Sequence, residues 1–415
     1  MTDTPASFRL AYLTGMYPAA SHTFIQREIA ALRAQGSEIV ITSVRTPGEA
    51  ELIGPEEVAA MDETFYVLAA AKNPLTLCRA HARLMLSSPG RWWSTLRLAL
   101  RTHRPGLKGF LWQLFYFLEA GVLARHLQRN AVSHIHNHFA DSSATVSMLA
   151  SGFTGLPFSF TLHGPNELFA PESWYLGEKV ARASKVICIS HFARSQVMLF
   201  SDPDHWHKLR IVHCGVTPAR YAETPAADTG AGMKLLFVGR LSPVKGLRIL
   251  LEAFEAARAV QPDIQLTVIG DGSDRAWVEE TARRVGGVSV LGYKSQSDVA
   301  DALVQSDALV LPSFAEGVPV ALMEAMASMR PVIATRVGGV AELVEDGVSG
   351  RVVTPGNVAA LTEAILDLAR NPERRRDMGI AGRAHVCAEF DIDKEARWLK
   401  AVFEGTAGPD LRPAD

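Results

Sequence analysis

A chain of 415 residues is long for one hydrophobic core and calls for two domains of roughly 100 to 200 residues with a cleft between them. Apolar residues make up 48% and charged residues 21%, which excludes a disordered or fibrous chain. The formal net charge of -2 gives no whole-molecule attraction to nucleic acid, so no nucleic-acid partner is expected.

The opening MTDTPASFRLAYLTG lacks the basic flank and long apolar run of a secretory signal, so a cytoplasmic protein is expected. Cys78, Cys188, Cys214 and Cys387 are scattered without a CxxC pairing, which suggests neither a disulfide framework nor a zinc site. No uninterrupted apolar run of about 18 residues predicts a membrane span, which leaves association with a membrane surface open.

Short β-branched runs alternate with helical patterns from the start. Strands are predicted at Arg9 to Thr14, Glu38 to Val44, Ser133 to Phe139, Phe158 to Leu162, Lys185 to Ser190 and Leu209 to Cys214. Between the second and third of these lies a basic, aromatic stretch from Lys72 to Arg129, with ten Lys or Arg and the single acid Glu119. Trp92, Trp93, Phe110, Trp112, Phe115 and Tyr116 interleave with those charges, a pattern suited to helices lying on an anionic lipid surface.

Residues 217–232 carry Pro218, Pro225 and Gly230 and read as a linker between an N-terminal domain, 1–216, and a second domain, 233–392. Strands then recur at Lys234 to Gly239, Gln265 to Gly270, Val288 to Leu291, Ala308 to Leu311, Pro331 to Thr335 and Gly350 to Val353. The fold class is α/β, with two facing Rossmann-like sheets. Residues 393–415 end the chain, and Ala396, Leu399, Val402 and Phe403 give them the apolar spacing of a helix that must dock, expected on the first domain.

The motif with the most chemical content runs from Glu316 through Gly317, Val318 and Pro319 to Glu324. Pro319 suits the first turn of a helix, which leaves Glu316 in the preceding loop and Glu324 about one and a half turns in. Amides at Gly317 and Val318 suit electronegative oxygens, Glu316 can accept sugar hydroxyl hydrogens, and Glu324 can reach a ribose diol. A second motif, Gly239-Arg240-Leu241-Ser242-Pro243-Val244-Lys245-Gly246, follows a strand and puts two cations where a turn meets a helix. Arg240 and Lys245 there suit a pyrophosphate and would stabilise a departing nucleoside diphosphate without a metal.

These motifs resemble the retaining GT-B glycosyltransferases with an E-x7-E pattern, in which Glu316 and Glu324 match the two glutamates. The resemblance extends to Ile269-Gly270-Asp271-Gly272, to Ala308 through Ser313 and to Val337-Gly338-Gly339. It implies a GT-B fold, retention of anomeric configuration, a nucleotide base near Tyr293 and Lys294, and a donor site including Gly239 and Gly270. Tyr17 through Ile25 resembles the opening of bacterial exopolysaccharide transferases of the colanic-acid type, with His22 where a glutamate is usual, and His134 through Ala140 and Phe160 through Gly164 resemble that subgroup's strand ends, where a histidine faces the transferred sugar. That likeness implies acceptor contacts at Ser21, His22, Thr23 and His138, a sugar-facing His163, and Arg194 beside the donor. The implied catalytic set is His163, Glu316, Arg240 and Lys245.

His134, His136 and His138 share one strand face, but their rings would spread over roughly 13 Å and no carboxylate or cysteine completes a compact set, so no metal site is expected. Asp202-Pro203-Asp204 reads as a turn, and Ser190 as the N-cap of a following helix. No cofactor is expected beyond a nucleotide sugar as co-substrate, and the expected acceptor is a lipid-linked glycan. The rival readings are an epimerase or phosphorylase on the same fold, or a catalytically silent membrane-surface scaffold. Internal return and double displacement both stay open as routes to retention.

Overall fold

The computed structural model describes residues 8–19, 22–52, 54–221, 223–225, 232–408 and 411–412. Its contacts divide the chain into two units: Met1–Val212 with Ala396–Asp415, and His213–Glu395.

In the first unit seven strands form one parallel sheet: β1 (Arg9–Met16), β2 (Glu38–Arg45), β3 (Phe65–Tyr66), β4 (His134–His138), β5 (Phe158–Leu162), β6 (Lys185–Cys188) and β7 (Leu209–Ile211). Their spatial order is β3-β2-β1-β4-β5-β6-β7. The chain moves outward from β1 in one direction and then returns to start again at β4, with Leu10 opposite His134 and Tyr12 opposite His136. Ligands of such sheets bind at the carboxyl ends of the strands where the order reverses, here β1 and β4.

The second unit repeats this plan with β8 (Lys234–Val238), β9 (Gln265–Ile269), β10 (Val288–Val290), β11 (Ala308–Leu311), β12 (Val332–Thr335) and β13 (Gly350–Val353). The order is β10-β9-β8-β11-β12-β13, so the reversal lies between β8 and β11. A strand forms at each of the twelve expected positions, and β3 is an addition. Only two residues long and at the sheet edge, β3 is too short to leave a periodic signal.

β5, β11 and β12 are buried along their whole length, as strands covered by helices on both faces must be. Burying each large apolar side chain contributes roughly 1.5–3 kcal/mol, and Phe158, Phe160, Leu309, Val310 and Ile333 all do so. β4, of sequence HIHNH, is buried although polar, and hydrogen bonds compensate. His134 Nε2 and His136 Nδ1 meet Ser159 Oγ at 2.7 and 2.8 Å, and His136 Nε2 meets Thr161 Oγ1 at 3.0 Å. Burial pulls the His134 imidazole down to about 4 and holds His136 well below the usual value, so this row is neutral.

The terminal helix, Ile392–Glu404, buries Ala396, Leu399, Val402 and Phe403. Within the first unit Phe403 packs on the rings of His134 and His136, and Trp398 Nε1 donates to Ile211 O at 2.9 Å. His213–Val216 join the second unit because their backbone pairs with residues 390–395, Val216 N donating to Phe390 O at 2.9 Å and His213 N to Glu395 Oε2 at 2.7 Å.

Candidate active site

In the second unit the loops after β8 and β11 interlock at the point where strand order reverses. Phe314 N donates to Val244 O at 2.8 Å, which fixes one loop against the other. Lys245 Nζ then donates to Glu316 Oε1 at 2.6 Å, and Ser313 Oγ donates to the same oxygen. Glu316 is buried, Lys245 half-buried and Arg240 exposed. The basic loop and the first glutamate of E-x7-E are therefore one cluster, with Arg240 the outward cation.

Close backbone packing explains two glycines here. Gly270, at φ +140°, brings its Cα so near β8 that an added Cβ would lie 1.9 Å from Gly239 O. Gly338, at φ +52°, meets Glu316 O in the same way, and Gly339 N donates to Gly317 O at 2.8 Å. Gly239 ends β8 and is itself held by Ile269 O at 3.0 Å. The loop that carries Glu316 is thus held from both sides.

Gly317 and Val318 are buried beside Glu316, and Glu324 is buried rather than solvated. Pro319 stands at the N-cap of helix Val320–Ala327, not inside its first turn, with its carbonyl accepting from Leu322 N and Met323 N. Tyr293 and Lys294 follow β10 in an exposed segment, and Gly292 O accepts from Gly270 N at 2.8 Å. All expected donor residues except Arg194 therefore lie on loops that leave the carboxyl ends of β8, β9, β10 and β11, or on the helix after β11.

Arg194 belongs to the first unit, half-buried in helix His191–Leu199. Ser190 caps that helix, its side chain accepting from Ala193 N at 3.0 Å. Asp202 likewise accepts from Asp204 N in a turn.

The carboxyl ends of β4 and β5 bring His138 and His163 together. His138 Nδ1 and His163 Nε2 are 2.8 Å apart with their rings stacked, and Phe24 and Phe139 pack on His163. On the other side of His138, Glu28 Oε1 lies 3.3 Å from Nε2, near enough for charge attraction though without hydrogen-bond alignment. Tyr12 donates its hydroxyl to that same oxygen at 2.6 Å. The expectation that no carboxylate stands near the histidine row is corrected here. Glu28, His136 and His138 have ligand atoms within 4.8 Å of one another. Glu28 escaped the sequence reading because it comes from helix Thr23–Ala34, over 100 residues from β4 in the chain.

A carboxylate facing Nε2 of His138 favours the proton on that nitrogen. With the proton there, His138 Nδ1 accepts from His163 Nε2–H. Burial, followed by the neighbouring His138 and His22, holds the His163 imidazole well below its ordinary value, so the ring is neutral.

His22 is the residue before helix Thr23–Ala34, its Nδ1 3.3 Å from Met16 O and its ring against Phe139. Thr23 is the first residue of that helix, while Ser21 lies outside the described residues.

Glu167 and Lys179 tie these strand ends together and were not singled out in the sequence. Glu167 accepts from the amides of Ala140, His163 at 2.8 Å and Gly164 at 2.9 Å. Lys179 Nζ donates to Ala140 O and Asp141 O, both at 2.7 Å. Burial pushes the Glu167 carboxyl up to about 8, against its hydrogen bonds, and pulls the Lys179 ammonium down to about 7. A signal for Glu167 existed: Gly164-Pro165 marks a helix start, and a glutamate at the third helical position can reach back to the amide of the N-cap residue, as Glu167 does to Gly164.

The basic stretch folds into the helices Pro74–Ser87, Pro89–Arg101 and Gly106–Arg129. Trp93, Trp112 and Phe115 are about half exposed, at 54%, 50% and 54%, while Phe117 and Glu119 are buried. The one acid of the stretch is therefore absent from its surface. No helix among the described residues is long and apolar enough to cross a membrane, and none of the four cysteines, all of them described, forms a disulfide.

Comparison with known proteins agrees with this geometry. Residues 230–385 match the family described as Glycosyl transferases group 1, and residues 22–220 match Glycosyltransferase Family 4. The chain is 30% identical over 308 residues to an uncharacterized glycosyltransferase of Methanocaldococcus jannaschii, covering 72% of this chain and 83% of that one. It is also 30% identical over 210 residues to the amylovoran biosynthesis glycosyltransferase AmsK of Erwinia amylovora, covering 48% and 51% of the two chains. Among solved structures, Anabaena HepE in complex with UDP superposes with a TM-score of 0.69 at 17% identity, covering 96% and 100%. Sucrose-phosphate synthase from Thermosynechococcus elongatus gives 0.73 at 18%, covering 96% and 99%. The structural likenesses establish the two-sheet GT-B fold, and with the sequence matches they show that the chain belongs to the group 1 glycosyltransferases.

Proposed function

We propose that this glycosyltransferase moves a hexosyl group from a nucleoside diphosphate sugar to a glycan acceptor, with retention of anomeric configuration and without a metal ion or other cofactor. The observation that carries the reading is the cluster of Lys245, Glu316 and Ser313 where the order of the second sheet reverses. Arg240 and Lys245 take up the charge of the departing diphosphate, so the cations do what a metal does elsewhere. Glu316, Gly317 and Val318 hold the sugar, Glu324 the ribose, Gly239 and Gly270 the backbone approach, and Tyr293 and Lys294 the base. In the first unit His163 and Arg194 act on the donor sugar and phosphate, while Ser21, His22, Thr23 and His138 serve the acceptor.

Calorimetry with UDP, GDP and ADP and their sugar conjugates tests the donor. Tight binding of one nucleotide, weakened by Arg240→Ala and Glu324→Gln, supports the reading; no binding by folded protein would sink it. The relative in complex with UDP makes uridine the first base to try. Product NMR reads the anomeric configuration, and an isomerised or phosphorylated sugar instead of a glycoside would point to an epimerase or phosphorylase.

The acceptor in this reading is a lipid-linked glycan of bacterial surface or exopolysaccharide synthesis, and the 72–129 helices rest on an anionic membrane. Support comes from half-exposed Trp93, Trp112 and Phe115 among basic side chains, and from relatives named for amylovoran and teichuronic acid biosynthesis. Flotation with phosphatidylglycerol vesicles should fall for Trp93→Ser/Trp112→Ser. Flotation equal to wild type would remove the membrane from the proposal.

A further inference from the structure

Some arginines in this protein meet carboxylates, as Arg9 does Glu38, Arg33 Glu63, Arg284 Glu255, Arg351 Asp367 and Arg383 Glu223, and others meet backbone carbonyls, as Arg330 and Arg375 do. Four arginines instead gather around one pocket. A pocket of about 290 Å³ between helices Pro74–Ser87 and Gly106–Arg129 is lined by Arg79, Arg83, Arg125 and Arg129 and by no acidic side chain. Among the described residues none of the four forms an ion pair.

The arrangement is costly as it stands. Arg79 and Arg83 are four apart on one helix, and Arg125 and Arg129 four apart on the other. Like charges at that spacing destabilise a helix by roughly 0.2–0.5 kcal/mol per pair. The two pairs also feel each other: after burial, Arg83 and Arg129 are what lower the Arg125 guanidinium below its ordinary value. Arg125 Nε is buried with no hydrogen-bond partner among the described residues. At the pocket wall His126 stacks on Phe65, ring centres 3.7 Å apart, and burial with Arg129 pulls this imidazole down to about 4. An anion seated among these groups would offset the repulsion between the four guanidiniums and give Arg125 Nε a partner.

We propose that this pocket is a binding site for a pyrophosphate or phosphomonoester group, free or carried on a lipid, held by Arg79, Arg83, Arg125 and Arg129. Guanidinium groups bind phosphate oxygens in a planar, two-point fashion, and several converging donors match a multiply charged phosphate better than a monoanion. The site does not depend on the donor assignment, since none of its residues belongs to the Lys245 and Glu316 cluster.

His126 is a local reporter, which separates this site from any pyrophosphate binding at Arg240 and Lys245. Histidine NMR on the full chain, titrated with inorganic pyrophosphate, should show the His126 resonance shift and its titration move to higher pH. Potassium chloride at matched ionic strength should not reproduce the shift. In Arg83→Gln/Arg125→Gln, and independently in Thr76→Glu, which places an acid in the pocket, affinity read at His126 should fall by about tenfold or more. Vesicles containing phosphatidate, against phosphatidylcholine alone, then assign the source. Competition with pyrophosphate at His126 identifies a lipid-borne group, and its absence a free one. A His126 resonance that ignores both probes, or answers equally to chloride or in both variants, overturns the proposal.

Discussion

Lys245 and Glu316, 71 residues apart in the chain, meet at 2.6 Å. The pair brings the loops after β8 and β11 into one electrostatic unit, with Ser313 as a third member. A donor that binds here must replace or extend the Lys245 to Glu316 contact, so the two residues should behave as coupled rather than additive. Glu316→Gln and Lys245→Met are each expected to lower kcat/KM by about 100-fold or more, and the double variant by little beyond the worse single one. Steady-state rates for the four proteins measure the coupling. Fully multiplicative losses would show that the pair does not work as a unit.

The tautomer of His163 is tied to a residue it does not touch. In the Tyr12, Glu28, His138, His163 series, the Glu28 carboxylate sets the tautomer of His138, which sets that of His163. Glu28→Leu removes the oxygen that faces both Tyr12 and His138 Nε2, and the preference along the series is lost. Nitrogen-15 spectra should then show the proton of His163 shared between Nε2 and Nδ1, with kcat down by about tenfold and circular dichroism unchanged. An unchanged His163 spectrum in Glu28→Leu would mean that something else sets the tautomer.

How far the sequence could be read depends on whether a feature is local. Strand positions, the Ser190 cap, the Asp202 turn and the buried face of Ala396 to Phe403 are written in runs of ten residues or fewer, and the structure shows each of them. Glu28 and Lys179 are another matter: each looks like an ordinary amphipathic-helix charge until the sheet brings it beside β4. The same holds for the pairing of Lys245 with Glu316, because spacing reveals the loops but not which side chains meet across them. The basic stretch was visible as composition. Its division into exposed tryptophans, buried Glu119 and a four-arginine pocket depended on how three helices pack.

Gly270 offers a test of the proposed donor site that leaves every side chain assigned to it in place. Its φ of +140° and the 1.9 Å from a built Cβ to Gly239 O leave no room for alanine. Gly270→Ala should push β8 and β9 apart at their carboxyl ends, cost roughly 2–4 kcal/mol of stability and weaken nucleotide affinity. Gly36→Ala, also at positive φ but with open space around it, is the control for backbone strain alone and should cost about 1 kcal/mol. Denaturant melts and calorimetry distinguish the two. Equal destabilisation would show that the approach of Gly270 to Gly239 carries no special weight.

Glu119 gives stability a pH dependence with a definite sign. Burial pushes its carboxyl from 4.5 up to about 7, against the pull of Arg45. Between those values the folded chain keeps a proton that the unfolded chain has released, so this residue makes stability fall as pH rises through that window. At about 1.4 kcal/mol per unit, the upper limit is about 3 kcal/mol, less whatever solvent relaxes. Buried histidines such as His134, held at about 4, act in the opposite direction over part of the same range, so the wild-type profile alone does not isolate the effect. The difference between wild type and Glu119→Gln does. Urea unfolding from pH 4.5 to 8 should show the variant gaining on wild type through this window and running parallel to it above about pH 7. A difference flat across the range would mean that Glu119 titrates alike in both states.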